Sequence, residues 1–468
     1  MTMIYAAFAA SVLILAACSG GGGGSGGPAP AGTMPPPQVH PQPPERQQLP
    51  GIAAEYGPEE AYGPPRERVL AYLRLFATGG AEFPSLEAED DDHPDGIVVF
   101  RDPPILRIGP GTNDHQRALI HHAVALVNRA LPWDRHIRIG PDALQPRIPI
   151  EEVEDGQIFV DFAPRHAWHY DGHEEADRIQ GLASLEDAVE DDEIRERLSA
   201  RIWMLDTLSP SDRSTMFVMV HELLHTIGLA EHVFHDEWRG TFLGYTRDGR
   251  YGAPHADRQV TQLGAIDTAA LVALVRILDR IGGTAVMAED LAADDFGEWE
   301  TEALAFSDRH DGMSWGVRHY NGITVPWTNG PDPAIALANN QALRRQGGSA
   351  SWNGNLLGFT SAQAPVAGRA RISVDLNSGV NLDGRADFTD LQSWAIGSRA
   401  GGLGTGQQWG DGALRYTITV GGNYLRSTGA AGDDAGSVNG RFYGRGHEGV
   451  AGVVEREDLT AAFGARRR

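Results

Sequence analysis

The stretch Met216-Phe217-Val218-Met219-Val220-His221-Glu222-Leu223-Leu224-His225-Thr226-Ile227-Gly228 decides how the first half of this chain is read. Met216, Phe217, Val220, Leu224 and Ile227 recur at helical spacing, so the segment is expected to form an amphipathic helix. Ser209-Pro210-Ser211-Asp212 supplies the proline and capping residues that favour a helix start. His221 and His225 stand four residues apart, on one helix face and one turn apart. Both imidazoles can therefore reach a single zinc ion. Gly228 follows three residues later and can take a backbone conformation that ends the helix sharply.

Working outward, the preceding residues alternate between strand-like and helical patterns. Arg66 to Phe76 reads as a short amphipathic helix, and Gly96-Ile-Val-Val-Phe100 and Ile105-Leu-Arg-Ile108 read as strands. Asn113 or Asp114 is placed to cap a long helix through Leu119, Ile120, Val124 and Val127. His121 and His122 lie on that helix about 100° apart, which makes them surface or packing residues rather than partners in one site. Further strands are expected at His136–Ile139, Gln157–Asp161 and Arg201–Leu205, and a closing helix from Ile266 to Leu278. This is an α/β or α+β layout, one sheet with two main helices, over residues 65–285, and α+β is the class expected for it.

The phrase His221-Glu222-x-x-His225-x-x-Gly228 resembles the metzincin metallopeptidases, whose extended motif is HExxHxxGxxH. The resemblance implies a zinc peptidase in which Glu222 is the general base toward water on the metal. It also implies a third ligand just after the glycine. The family position falls on Glu231, and His232 comes one residue later. One residue spans about 3.3–3.6 Å, which a loop can absorb. His232 is preferred because imidazole suits zinc and a neighbouring carboxylate can orient it, with Glu231 the alternative and His235 a further candidate. For the family's methionine turn, Gly240-Thr-Phe-Leu-Gly244 falls at a suitable distance but holds no methionine, and Met287 and Met313 are more distant candidates.

The ends of the chain set the context. Residues 4–17 form an apolar run too short to span a bilayer comfortably but of signal-peptide length. It ends in Leu15-Ala16-Ala17-Cys18, which resembles a bacterial lipobox, and Cys18 is the single cysteine of the 468 residues. No disulfide within the chain is possible. Residues 1–18 are thus expected to be a lipoprotein signal peptide with its lipidation site. Residues 19–60, rich in Gly, Ser and Pro, are expected to be a tether. Acyl chains would anchor the protein to a membrane without spanning it. The formal net charge of -24 would repel a phosphate backbone and argues against nucleic acid as a partner. The acidic run Glu87–Asp92 reads as a solvated loop.

From 310 to 468 the pattern changes to short alternating runs between glycines, among them Ala370–Asp375, Leu414–Val420 and Gly452–Glu455. Even spacing with turn signals argues for an antiparallel barrel or sandwich, and about eight such runs suit an all-β antiparallel eight-stranded barrel with a side-chain-filled interior. Gly440-Arg-Phe-Tyr-Gly-Arg-Gly-His-Glu448 through Gly452, and Ala462-Phe-Gly-Ala465, resemble the C-terminal barrel of transferrin-binding-protein-B-like surface lipoproteins. The likeness implies a fold and a surface setting, not a particular partner. His447 and Glu448 are read as packing or hydrogen-bonding residues of the barrel.

Two functions from different classes follow. One is an exported, lipid-anchored zinc endopeptidase, at the outer membrane and cell surface of a Gram-negative bacterium, acting on protein or peptide substrates. The other is a surface binding or adhesion lipoprotein whose zinc site is structural or inactive. What the barrel binds is left open by both.

Overall fold

The computed structural model describes residues 10–14, 64–78, 96–146, 148–168, 180–190, 193–208, 213–230, 232–234, 238, 241–245, 263–291, 298–300, 304–310, 312–331, 337, 341–379, 381–395 and 406–467. The expected lipidation site Cys18, the start of the motif helix at 209–212, and Glu231 and His235 lie outside these residues.

In chain order the first unit holds β1 (Ala10–Ile14), α1 (Arg66–Ala77), β2 (Ile97–Val98), β3 (Ile105–Ile108), α2 (Asp114–Asn128), β4 (Arg138–Ile139), β5 (Gln157–Ala163), β6 (Gly181–Glu190), β7 (Glu193–Leu205), α3 (Arg213–Thr226), β8 (Val233–Phe234), β9 (Gly244–Tyr245), α4 (Ala265–Ile281) and β10 (Ala285–Val286). The main sheet is mixed, in the order β1-β6-β7-β5-β3-β4. β3, β4, β5 and β7 run parallel, and β6 returns antiparallel to β7. Ala10–Ile14, inside the apolar run of the expected leader, pairs antiparallel along the outer side of β6.

Alternation along the strands decides what each face covers. Ile158, Val160 and Phe162 of β5, with Ala200, Ile202 and Met204 of β7, point to the side where α2 and α3 pack. Burying these apolar faces against the helices is the main force holding the unit together. Phe159 and Trp203 point to the opposite side, where short loop segments cover them. α2 is started as expected: Asn113 accepts from the Gln116 backbone, and the Gln116 side chain accepts from the Asn113 backbone, a reciprocal capping box. α3 carries the motif, and α4 packs with α1 on the same apolar core.

The second unit opens with a meander, β11 (Leu304–His310), β12 (Met313–Tyr320) and β13 (Ile323–Asn329), paired in that order. Then come β14 (Ser349–Thr360), β15 (Pro365–Asp375), β16 (Leu382–Ser393), β17 (Gln407–Gln408), β18 (Ala413–Gly421), β19 (Tyr424–Ser427), β20 (Ser437–Tyr443), β21 (Gly449–Glu455) and β22 (Leu459–Arg467). Eight of these close into an antiparallel barrel, β14-β22-β21-β20-β19-β18-β16-β15 and back to β14, with β17 added beside β16. Trp352, Ile372, Phe388, Tyr416, Phe442 and Phe463 fill the interior, so the barrel has a packed core and not a channel. The meander lies against the outer wall, where the Trp315 ring covers Gly464 so closely that a Cβ there would meet it.

The two units share a wall. α2 packs against α3 on one side and against β18, β19 and β20 on the other. Tyr424 of β19 belongs to the same buried cluster as α2 and α3. His122, expected to pack, is buried with its ring 5.0 Å from that of Tyr424, and His121 bonds Arg426 at 2.7 Å.

Candidate metal centre

α3 ends as the motif residues require. Leu229 N–H donates to the Leu224 carbonyl at 3.1 Å and Gly228 N–H reaches the His225 carbonyl at 3.5 Å, the paired bonds of a Schellman turn. Gly228 adopts φ +119, and a Cβ there would lie 2.9 Å from Val99 Cγ1. The chain thus reverses under the helix end and leads directly to His232, immediately before β8.

The structure brings His221, His225 and His232 together as a buried group that could hold a metal ion. Their Nε2 atoms converge: His221 to His232 2.9 Å, His221 to His225 3.1 Å, and His225 to His232 3.2 Å. Two of the Nδ1 atoms face main-chain carbonyls, His221 toward Phe242 at 2.8 Å and His225 toward Leu229 at 2.9 Å. A carbonyl only accepts, so both rings carry their proton on Nδ1. Their Nε2 atoms, 3.1 Å apart, then present lone pairs to each other. A cation between them turns that repulsion into ligation, and neutral imidazole nitrogen is a favoured zinc donor. Burial, the largest influence on each ring, holds His221 down to about 4 and His225 and His232 well below the ordinary imidazole value. All three are therefore neutral at physiological pH, the form that binds a metal.

Glu222 is on the same helix, beside His221. Neither of its carboxylate oxygens holds a hydrogen bond of normal geometry among the described residues. Burial pushes its carboxyl well above the ordinary range, against a weaker opposing pull from the Ala183 backbone. Its carboxylate lies against β6: a Cβ on Gly181 would fall 2.7 Å from Glu222 Oε1. His221, Glu222 and His225 are each 0 % exposed and His232 7 %.

No family model and no curated protein matches the chain. Solved structures do resemble part of it. Transferrin binding protein B from serogroup B Neisseria meningitidis aligns at 16 % identity over 36 % of this chain and 34 % of its own, with a TM-score of 0.24. The haemoglobin receptor HpuA from Kingella denitrificans aligns at 15 % identity over 36 % of this chain and 61 % of its own, also with a TM-score of 0.24. The chain thus spans only part of the length of each.

The turn through Thr241–Gly244 passes beside His221, and Phe242 supplies the carbonyl that orients that ring. The Phe242 ring stacks on Phe217 of α3, with centroids 5.1 Å apart and planes at 12°. Met287 lies instead beside Gly96, and Met313 packs against the barrel at Gly449.

Two supporting groups carry no motif of their own in the sequence. Arg197 of β7 is buried, holds Asp187 of β6 through two bonds at 2.7 and 3.1 Å, and donates to the carbonyls of His225 and Thr226 at 2.9 and 3.2 Å. It ties the strand over Glu222 to the end of the motif helix. Asp267 of α4 accepts from the Phe242 backbone and from the Tyr72 hydroxyl. The available signal for Asp267 is an acid that, with Thr268, interrupts the otherwise apolar run Ala265–Val275.

Proposed function

We propose that this chain is a zinc-dependent endopeptidase, exported and lipid-anchored through Cys18, with Glu222 as its general base. The observation that carries the reading is the combination of three converging imidazole Nε2 atoms with a neighbouring buried carboxylate whose oxygens hold no hydrogen bond of normal geometry among the described residues. The donor set fits zinc, with three nitrogen ligands and oriented Nδ1–H groups behind two of them. Bound there, zinc supplies Lewis acidity toward a peptide carbonyl and lowers the pKa of water. Glu222 accepts the proton from the attacking water and delivers it to the departing amine; its raised proton affinity suits that shuttle. Once the leader is removed before Cys18, β6 is the edge of the sheet beside Glu222. Its unpaired backbone groups then offer an extended peptide an antiparallel partner.

A second reading is favoured by one observation, the complete burial of His221, Glu222 and His225. Here the chain is a surface binding lipoprotein, and the metal holds the loop after Gly228 to α3 without meeting substrate.

One experiment separates them. Full-length protein and Glu222→Gln are purified, their zinc content measured, and cleavage of unfolded casein followed. Zinc in both with cleavage only by the unsubstituted protein is the expected result. Zinc in both with no cleavage by either selects the binding reading, and absence of zinc in both overturns the two together.

A further inference from the structure

Phe242 is held from behind as well as in front. Its carbonyl accepts the His221 Nδ1–H at 2.8 Å, while its N–H donates to both oxygens of Asp267, each at 3.2 Å. Asp267 in turn accepts the Tyr72 hydroxyl at 3.1 Å. Asp267, Tyr72 and Phe242 are all fully buried. A chain of contacts thus runs from α1, through α4 and the Thr241–Gly244 turn, to the first imidazole of the triad. Its members come from positions 72, 267, 242 and 221, so only the folded core assembles it.

Apolar packing alone would not place a carboxylate here. α4 is otherwise lined by Ile266, Ala269, Ala270, Leu271, Ala273 and Leu274 toward the core, and a buried charged group costs free energy unless its hydrogen bonds are well met. Two of those bonds come from the N–H of Phe242, the residue whose carbonyl selects the tautomer of His221. Without that anchor on its N–H, Phe242 could turn its carbonyl away from Nδ1–H, and His221 could then carry its proton on Nε2 and lose its lone pair toward the ion.

We propose that Asp267, seated by Tyr72, is a positioning residue for the metal centre: it fixes the Phe242 carbonyl and so presents His221 Nε2 as a ligand. This rests on the metal-binding part of the reading above and not on peptide hydrolysis.

The test uses the full-length protein freed of metal and loaded with Co²⁺, whose visible absorption reports ligand geometry. The proteins compared are unsubstituted, Asp267→Asn and Tyr72→Phe. Asparagine keeps the size of the side chain and removes its charge and one acceptor. The unsubstituted protein is expected to bind Co²⁺ with strong visible bands. Asp267→Asn is expected to bind about 10- to 100-fold more weakly, the range of lost outer-shell partners, with an altered spectrum. Tyr72→Phe is expected to shift both in the same direction by less. A purely structural role would lower the unfolding midpoint of the metal-free protein and leave the Co²⁺ spectrum unchanged. Asp267→Asn with unsubstituted affinity and spectrum overturns the proposal; if that variant does not fold, the same result in Tyr72→Phe does so. No Co²⁺ binding by the unsubstituted protein overturns the metal reading itself.

Discussion

Replacing Gly228 with alanine probes the turn that builds the site. The new Cβ meets two separate obstacles. First, φ is +119, on the positive side where an L side chain collides with its own backbone, at a cost of about 1–2 kcal/mol. Second, the Cβ would lie 2.9 Å from Val99 Cγ1, 3.2 Å from Ile97 Cγ2 and 3.3 Å from the Val98 carbonyl, overpacking that costs about 1–3 kcal/mol. Together the expected loss is about 2–5 kcal/mol, because the obstacles act at the same atom but through different contacts. Gly282, which ends α4 at φ +66 with nothing within 4 Å of a Cβ, provides the control. Gly282→Ala meets only the backbone term and should cost about 1–2 kcal/mol. Urea unfolding of the metal-free proteins measures both. The turn also sets Leu229, whose carbonyl orients His225, and leads into His232, so Gly228→Ala alone should weaken metal binding. If Gly228→Ala unfolds at the same urea concentration as Gly282→Ala and keeps its metal affinity, the turn does not govern the site as described.

Further substitutions test the supports. Arg197→Ala leaves Asp187 buried without its guanidinium and the end of α3 without its donor, a loss of about 3–5 kcal/mol in urea unfolding. Replacing Arg197 and Asp187 together by leucines should recover much of it, since the uncompensated charge is gone. At the shared wall, burial pushes Glu455 up to about 7, partly offset by Arg129 at 3.8 Å. Its folded value lies above its unfolded one, so the folded state holds the extra proton between the two. Stability is then expected to fall as pH rises from about 4.5 to about 7, and Glu455→Gln should flatten that part of the curve. An unchanged slope in the variant would assign it to another group.

Much of the site was legible because its chemistry is local. A four-residue spacing places His221 and His225 on one face whatever the rest of the fold does. The barrel was legible for a similar reason, since alternation and glycine turns state strand and face together. His232 and Glu231 could not be separated by spacing, because the loop path depends on Val99 and Ile97 packing against Gly228. Asp267 and Arg197 act across elements far apart in sequence, and no periodicity encodes such a contact. Of the long hairpin of β6 and β7, the sequence pattern marks only Arg201–Leu205. Its acidic segments, such as Glu186-Asp187 and Glu193 to Glu196, mask the strand pattern, and Asp187 is tolerated inside only because Arg197 meets it.

The shared wall also changes what the barrel contributes. Its interior is filled by its own side chains, so any partner must use the outer wall or the loops. Part of that wall is taken already. Trp315 of the meander covers Gly464, while Asp114 and His115 of α2 press on Gly421 and Gly422. The same helix that meets the barrel through His122, Arg129 and Tyr424 packs directly on α3. Separating the units would uncover the apolar face of α2 and leave Arg129 and Glu455 without each other. The barrel therefore backs the helix layer that carries the three-histidine group, and removing it would expose α2, the helix packed on α3.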